Sequence, residues 1–203
     1  MYCGFAPLRE IIICFFFIII QMNPILVRNI KHLTDARYFA AMGVDWMSMQ
    51  LTSDPTTFSI WHMLKDWIAG VKLAAEIPAD DEMLLAKTII DAIPDGIILN
   101  QLIVPDVPQT IRMFYEVDEI DKINGKGGLS FILSYDSNLS TSNKILEIPS
   151  NKIFLQSSWT LYKLNSLIES GYKGGICFSG GEEDKTGLRD FSVMDDMFRV
   201  LGR

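Results

Sequence analysis

Residues 174–191, GGICFSGGEEDKTGLRDF, run from a short apolar strand at 176–178 into the triplet Ser179-Gly180-Gly181. Glycine has no Cβ atom, so the backbone N–H groups of such a triplet can close on an anion. A plain turn is the alternative interpretation, because Ser-Gly-Gly is common in turns. The triplet ends a long series of strand and helix units, and that position favours a phosphate site.

The alternation of short strands and amphipathic helices extends back from this stretch to residue 22. Eight strands are predicted, at residues 25–30, 45–49, 71–76, 96–99, 110–116, 130–134, 152–155 and 175–178. Helices are predicted at residues 35–42, 59–68, 80–93, 117–124, 159–170 and 193–201, with one or two weak turns around 144–147.

Strands that alternate with helices indicate a parallel sheet with right-handed crossovers, and eight such units favour a closed (β/α)₈ barrel. The barrel is expected to be compact, with attenuated helices after strands 4 and 6. An open doubly wound sheet is the alternative, but it would carry a glycine-rich turn after its first strand. This chain has Arg28-Asn29-Ile30-Lys31 there, which favours the barrel.

Composition limits the classes of partner. The chain has 203 residues, 49% apolar content and a net charge of −7 without a basic run, so it can bury a full core but is not suited to extended nucleic-acid binding. Its three cysteines lack metal-site spacing, which is typical of a reducing cytoplasm, and two histidines exclude a multi-histidine metal centre. We expect no metal or cofactor, and either a monomer or a homodimer.

The first 21 residues differ from the rest. The run IIICFFFIII at 11–20 is too short to span a bilayer and has no small-residue cleavage site after it. A signal-like segment is one interpretation. We favour an over-extended start, with residues 1–21 outside the fold, residues 22–203 as one barrel domain, and no membrane contact for that domain.

The first unit, residues 25–49, resembles the opening of the phosphoribosylanthranilate isomerase family, whose pattern is K-x-C-G-I-T-x-x-x-D-A, a helix, then G-A-D and a strand. The last unit resembles the family's closing pattern, D-V-S-S-G-V-E followed by P-G-x-K-D. The resemblance covers about residues 24–202. The matched positions are Leu33, Asp35, Ala36, Gly43 and Asp45 at the start, and Ser179, Gly181, Glu183, Gly187, Arg189 and Asp190 at the end.

This resemblance implies a (β/α)₈ isomerase of tryptophan biosynthesis, which opens an aminoribose phosphate with a general acid and a general base. Arg28 stands at the family's catalytic cysteine, and a guanidinium cannot act as a base. Ser134 stands at the catalytic aspartate, with Asp136 two residues further on the same strand face. The family's substrate-side arginine has no counterpart in residues 52–58, and Asn100 replaces its histidine.

The phosphate side of the family pattern is better preserved. Ser157 and Ser158 replace two glycines after the seventh strand and still offer N–H and hydroxyl donors. With Ser179, Gly180 and Gly181 they would form a phosphate cradle between strands seven and eight.

The residues leave two interpretations of Arg28 open: a salt bridge to Asp136 or Glu76, or a bond to the phosphate or carboxylate of a ligand. We name Arg28 and Asp136 as candidate catalytic residues. Three functions remain open: an active isomerase, a paralogue that binds a phosphorylated ligand but has changed its reaction, and a non-catalytic barrel with a binding or regulatory role.

Overall fold

Eight parallel strands close into a barrel, each paired with its neighbours in sequence and the eighth with the first. The computed structural model describes residues 22–78, 80–101, 106–123, 129–135, 143–180 and 190–203. The extension at 1–21, Asp136 and Gly181 lie outside these ranges. The strands are β1 (Ile25–Arg28), β2 (Trp46–Gln50), β3 (Lys72–Ile77), β4 (Gly96–Leu99), β5 (Arg112–Val117), β6 (Ser130–Ser134), β7 (Ile153–Gln156) and β8 (Gly175–Ser179).

Helices connect most of these strands. They are α1 (Leu33–Ala41), α2 (Pro55–Trp67), α3 (Glu82–Lys87), α4 (Asn143–Glu147), α5 (Leu161–Glu169) and α6 (Ser192–Val200). A π turn (Thr88–Ala92) extends α3. Within the described ranges, none of the helices combines the length and apolar character that a bilayer crossing requires.

The barrel and the weak helix after strand 6 are therefore confirmed, and one predicted helix is wrong. Within the described part of the predicted helix at 117–124, Val117 ends β5 and only a 3₁₀ turn forms, at Ile120–Ile123. The physical reason is the spacing of the apolar side chains, because Ile120 and Ile123 are three residues apart and a 3₁₀ turn aligns positions i and i+3.

The interior of the barrel is filled by side chains, so it is a packed core and not a channel. Each strand gives one buried residue to a single interior cluster: Leu26, Trp46, Ala74, Ile98, Phe114, Ile132, Phe154 and Cys177. Cys177 is fully buried there, as expected for a packing residue. Alternate strand residues point outwards and form a second core with the helices.

The two ends of the barrel are built differently. At the amino-terminal end, Lys72 and Arg112 lie over the Trp46 ring, with Lys72 Nζ 5.3 Å and Arg112 Cζ 5.7 Å from its centroid. These cation–π contacts close that end over the aromatic core. The carboxyl ends of the strands form the opposite opening, which we call the barrel mouth.

Gly175 gives a test of the interior packing. A Cβ atom at this position would lie 2.3 Å from Cδ1 of Phe154, its partner on β7. We therefore expect Gly175→Ala to lower the free energy of unfolding by about 2 kcal/mol, since overpacking a core typically costs about 1–3 kcal/mol. Urea denaturation would measure this. The double variant Gly175→Ala/Phe154→Leu should recover part of the loss, and an unchanged stability of Gly175→Ala would contradict the packing described.

Candidate functional site at the barrel mouth

Each strand carries, at or next to its carboxyl end, a polar residue on the inward-facing side of the strand register. The registers pair Arg28 with Ser179, Gln50 with Glu76, and Ser134 with Gln156. Carboxyl-terminal strand ends carry the active sites of barrel enzymes, so this ring is the candidate site. Its members are Arg28, Gln50, Glu76, Asn100, Glu116, Ser134, Gln156 and Ser179.

Arg28 spans the mouth from β1 and binds three acceptors. Its Nη2 lies 2.5 Å from Oε2 of Glu76, and its Nη1 donates to Oε1 of Gln156 at 2.9 Å and to Oε1 of Glu116. Of the two carboxylates expected from the sequence as partners of Arg28, Glu76 is bound, and Asp136 lies outside the described residues. The guanidinium thus ties β1 to β3, β5 and β7.

Glu76 is held by more than the salt bridge. Its Oε1 accepts hydrogen bonds from the Asn29 backbone N–H at 3.0 Å and from the Ser48 hydroxyl at 2.5 Å. Asn29 has a left-handed backbone conformation (φ 58°), which asparagine tolerates better than most residues. The turn after β1 is therefore shaped to aim an N–H group at this carboxylate.

The charges in this network are fixed by their contacts. Burial alone would raise the pKa of Glu76, but the hydrogen bond and charge of Arg28, with the Ser48 and Asn29 donors, lower it below its ordinary value of 4.5. Burial likewise tends to lower the pKa of Arg28, yet Glu76 and the charge of Glu116 raise it above the ordinary value. Both groups are therefore ionised at neutral pH, and Arg28 cannot accept a proton.

Cys177 lies close to this network but does not supply a nucleophile. Its Sγ is 3.6 Å from Oε1 of Gln156. Burial raises the pKa of the Cys177 thiol, and the positive charge of Arg28 offsets this only in part. A buried thiol with a raised pKa is inert, because the thiolate is the reactive form.

Two hollows, which share Asn100 and Glu116 in their linings, open at the mouth. The larger, of about 620 Å³, is lined by Glu116, Ser134 and Gln156 together with Asn100, Gln101, Val117, Asp118, Lys122 and Ile132. The smaller, of about 210 Å³, lies over Arg28 and Glu76. Pockets that bind small molecules commonly measure about 300–1,000 Å³, so the larger hollow is suited to a ligand of that size.

The residues predicted to bind phosphate follow the ends of β7 and β8. Ser157 is half-buried, and Ser158 and Ser179 are exposed. The segment after β7 is fixed by Trp159, whose indole N–H donates to the Cys177 carbonyl at 2.9 Å and whose ring stacks on Tyr135. The structure therefore brings the three serines to one side of the mouth.

Gly180 has a structural role on this side of the mouth. Its N–H donates to the Arg28 carbonyl at 2.6 Å, so this donor is already used. A Cβ atom at Gly180 would lie 2.9 Å from the carbonyl oxygens of both Arg28 and Asn29. The glycine thus permits close contact between β8 and the turn after β1.

Sequence reasoning missed two partners of Arg28, Glu116 and Gln156. Both are the last inward residue of a strand whose preceding inward residue is a buried phenylalanine, Phe114 or Phe154. The available signal was the repetition of a polar residue at the carboxyl end of every strand. In the described part of the chain, no group of three or more histidine, cysteine, aspartate or glutamate side chains is arranged to hold a metal ion.

The fold and the polar mouth define a (β/α)₈ barrel with the site layout of small-molecule barrel proteins. The sequence matches no family model, and it matches no curated protein.

Solved structures give the particular resemblance. Phosphoribosylanthranilate isomerase from Thermotoga maritima superposes with a TM-score of 0.71 at 11% identity, covering 89% of this chain and 99% of that one. The isomerase from Pyrococcus furiosus gives 0.68 at 13% identity, with coverages of 89% and 98%. A thiamine phosphate pyrophosphorylase from Bacteroides thetaiotaomicron gives 0.57 at 16% identity, with coverages of 89% and 96%. Identities this low establish the shared fold and not the activity.

One of the similar structures holds a ligand. It is a phosphoribosylanthranilate isomerase in complex with reduced 1-(o-carboxyphenylamino)-1-deoxyribulose 5-phosphate, with a TM-score of 0.72 at 11% identity and coverages of 89% and 99%.

Proposed function

We propose that this chain is a phosphoribosylanthranilate isomerase-like barrel that binds a small phosphorylated, sugar-type ligand in its mouth. The phosphate binds at the ends of β7 and β8, through Ser157, Ser158 and Ser179, with Gly181 as a further donor. The isomerase reaction of tryptophan biosynthesis, which the sequence resemblance implies, is altered or lost.

The observation that carries this proposal is the arrangement of Arg28. Its guanidinium reaches across the mouth to Glu76 on β3, Glu116 on β5 and the neutral Gln156 on β7. The two carboxylates thus lie on neither β7 nor β8, and among the described residues the β7–β8 edge offers serine hydroxyls and no acidic side chain. The electrostatic repulsion of a bound anion by these carboxylates is therefore weakest at that edge.

A purely binding or regulatory role is the second candidate, and Arg28 favours it too. A general base must hold a free electron pair within reach of the substrate. Arg28 has none at the strand position where the resembled family has its cysteine. The polar mouth and its hollow support ligand binding under either role.

Equilibrium binding of ribose 5-phosphate and of ribose to the full chain tests the proposal. We expect saturable binding of the phosphate ester, with ribose at least tenfold weaker because it lacks the charged group. Isothermal titration calorimetry at constant ionic strength measures both.

The matched variants are Ser158→Glu and Ser166→Glu. The first places a carboxylate at the proposed subsite and should weaken the phosphate ester at least tenfold by repulsion. The second makes the same change on the exposed face of α5 and should leave binding unchanged. Equal affinities in the two variants would contradict the location of the subsite.

A further inference from the structure

Building on the proposed phosphate subsite, we infer that the ligand carries a protonated amine at its other end, bound by Glu116, and that the mouth excludes a carboxylate there. This assigns the chemical class of the ligand as an amino-bearing phosphate ester.

The charge of the mouth favours a bound cation. Arg28, beside the smaller hollow, supplies one positive charge and is shared by two carboxylates, Glu76 and Glu116. Lys122, beside the larger hollow, pairs with Asp118 at 2.5 Å. Among the described lining residues, one negative charge is therefore not balanced, and an added cation would balance it.

Glu116 is accessible to a ligand. Its side chain is 35% exposed, against 15% for Glu76. Its Oε1 binds Arg28, whereas its Oε2 has no hydrogen-bond partner in the described part of the chain. Since Glu116 lines the hollow of about 620 Å³, this carboxylate can bind a ligand without losing its bond to Arg28.

Several neutral polar side chains line the hollow beside Glu116. Asn100, Gln101, Ser134 and Gln156 provide amide and hydroxyl groups. Such groups bind the hydroxyls and the amine of an amino sugar, and they offer no cation to a carboxylate.

Arg28, the cation that contacts Glu116, is already engaged. Its Nη1 and Nη2 already donate to Glu116, Gln156 and Glu76. A ligand carboxylate would have to break these bonds and lie beside two like charges. The carboxyphenyl group named in the ligand of the similar isomerase structure is therefore disfavoured here.

Three six-carbon phosphate esters of similar size test the inference: the cyclic sugars glucosamine 6-phosphate and glucose 6-phosphate, and the open-chain sugar acid 6-phosphogluconate. They share the phosphate ester and differ in carrying an amine, a neutral hydroxyl or a carboxylate. With the full chain, we expect affinity to fall in that order by calorimetry, with at least a tenfold difference between the first and the last. Equal affinities, or the reverse order, would overturn the inference while the phosphate subsite stands.

Glu116→Gln tests the residue itself. We expect the difference between the amine and the carboxylate to shrink at least tenfold in this variant, and to persist in Glu169→Gln, the same change on the exposed end of α5. An amine preference that survives Glu116→Gln would overturn the assignment to Glu116. Failure of all three esters to bind would contradict the proposed function, and with it this inference.

Discussion

Phosphoribosylanthranilate is expected to remain unconverted by the full 203-residue chain, at a rate at least about 10⁴-fold below that of an active isomerase. A general acid–base group contributes about 10²–10⁴-fold to such a reaction. Arg28 cannot accept a proton, and the end of β6 carries Ser134, whose hydroxyl is a poor acid. Because both groups are missing, we expect the two reductions in rate to multiply. Fluorescence decay of freshly made substrate measures the rate.

Arg28→Cys is the informative variant, because it restores the thiol of the resembled family. We expect no recovery of turnover, since the change leaves Glu76 and Glu116 without the cation that binds them. The contrary result would be turnover by the parent chain that disappears in Asp136→Asn. That outcome would establish a rewired isomerase and refute the proposal that the reaction is altered or lost.

Replacing Arg28 by methionine is expected to lower the free energy of unfolding by about 3–5 kcal/mol. The side chain is 14% exposed and binds two carboxylates. Removing one member of a buried ion network typically costs about 3–5 kcal/mol, because the remaining charges are left without compensation. Urea denaturation at neutral pH measures the loss.

The pH dependence of the free energy of unfolding distinguishes loss of the ion network from a simple loss of packing. In the parent chain the pKa of Glu76 is lowered, so its contribution to stability is full above its ordinary value of 4.5 and is lost as the pH falls through the folded-state value. In Arg28→Met, burial without the cation raises the pKa of Glu76. Protonation of Glu76 therefore stabilises the folded state of this variant. Between about pH 7 and pH 4, we expect the variant to gain stability relative to the parent chain.

A double variant supplies the control. Glu76→Gln keeps an oxygen to accept the Asn29 and Ser48 hydrogen bonds but removes the charge. Arg28→Met/Glu76→Gln should therefore recover at least half of the loss seen in Arg28→Met. A double variant as unstable as the sum of the two single changes would show that Arg28 and Glu76 are not coupled.

The fold could be predicted from the sequence because its signals are local. Each of the eight predicted strands overlaps an observed strand, and their order along the chain is their order around the barrel. The predicted helix at 117–124 was wrong. Its apolar residues Ile120 and Ile123 are three apart among charged residues, and one such pair suits a single 3₁₀ turn.

The candidate site was predictable only in part. The position of Arg28 in the mouth and its need for an anionic partner followed from the strand end and from the cost of an unpaired buried charge. Glu76, which it binds, was one of three partners left open, beside Asp136 and a ligand anion. The bonds to Glu116 and Gln156 did not, because they depend on which side chains face each other across a closed barrel. The role of Gly180 in strand packing likewise needed the contact between β8 and the turn after β1.

The most direct measurement of the central claim, a phosphate subsite at the β7–β8 edge, is an amide NMR titration of the full chain with inorganic phosphate. Chloride at equal ionic strength serves as the reference. We predict saturable shifts at Ser157, Ser158 and Ser179 that vanish in Ser158→Glu and persist in Ser166→Glu. The absence of saturable shifts, or shifts confined to other parts of the barrel, would contradict the claim.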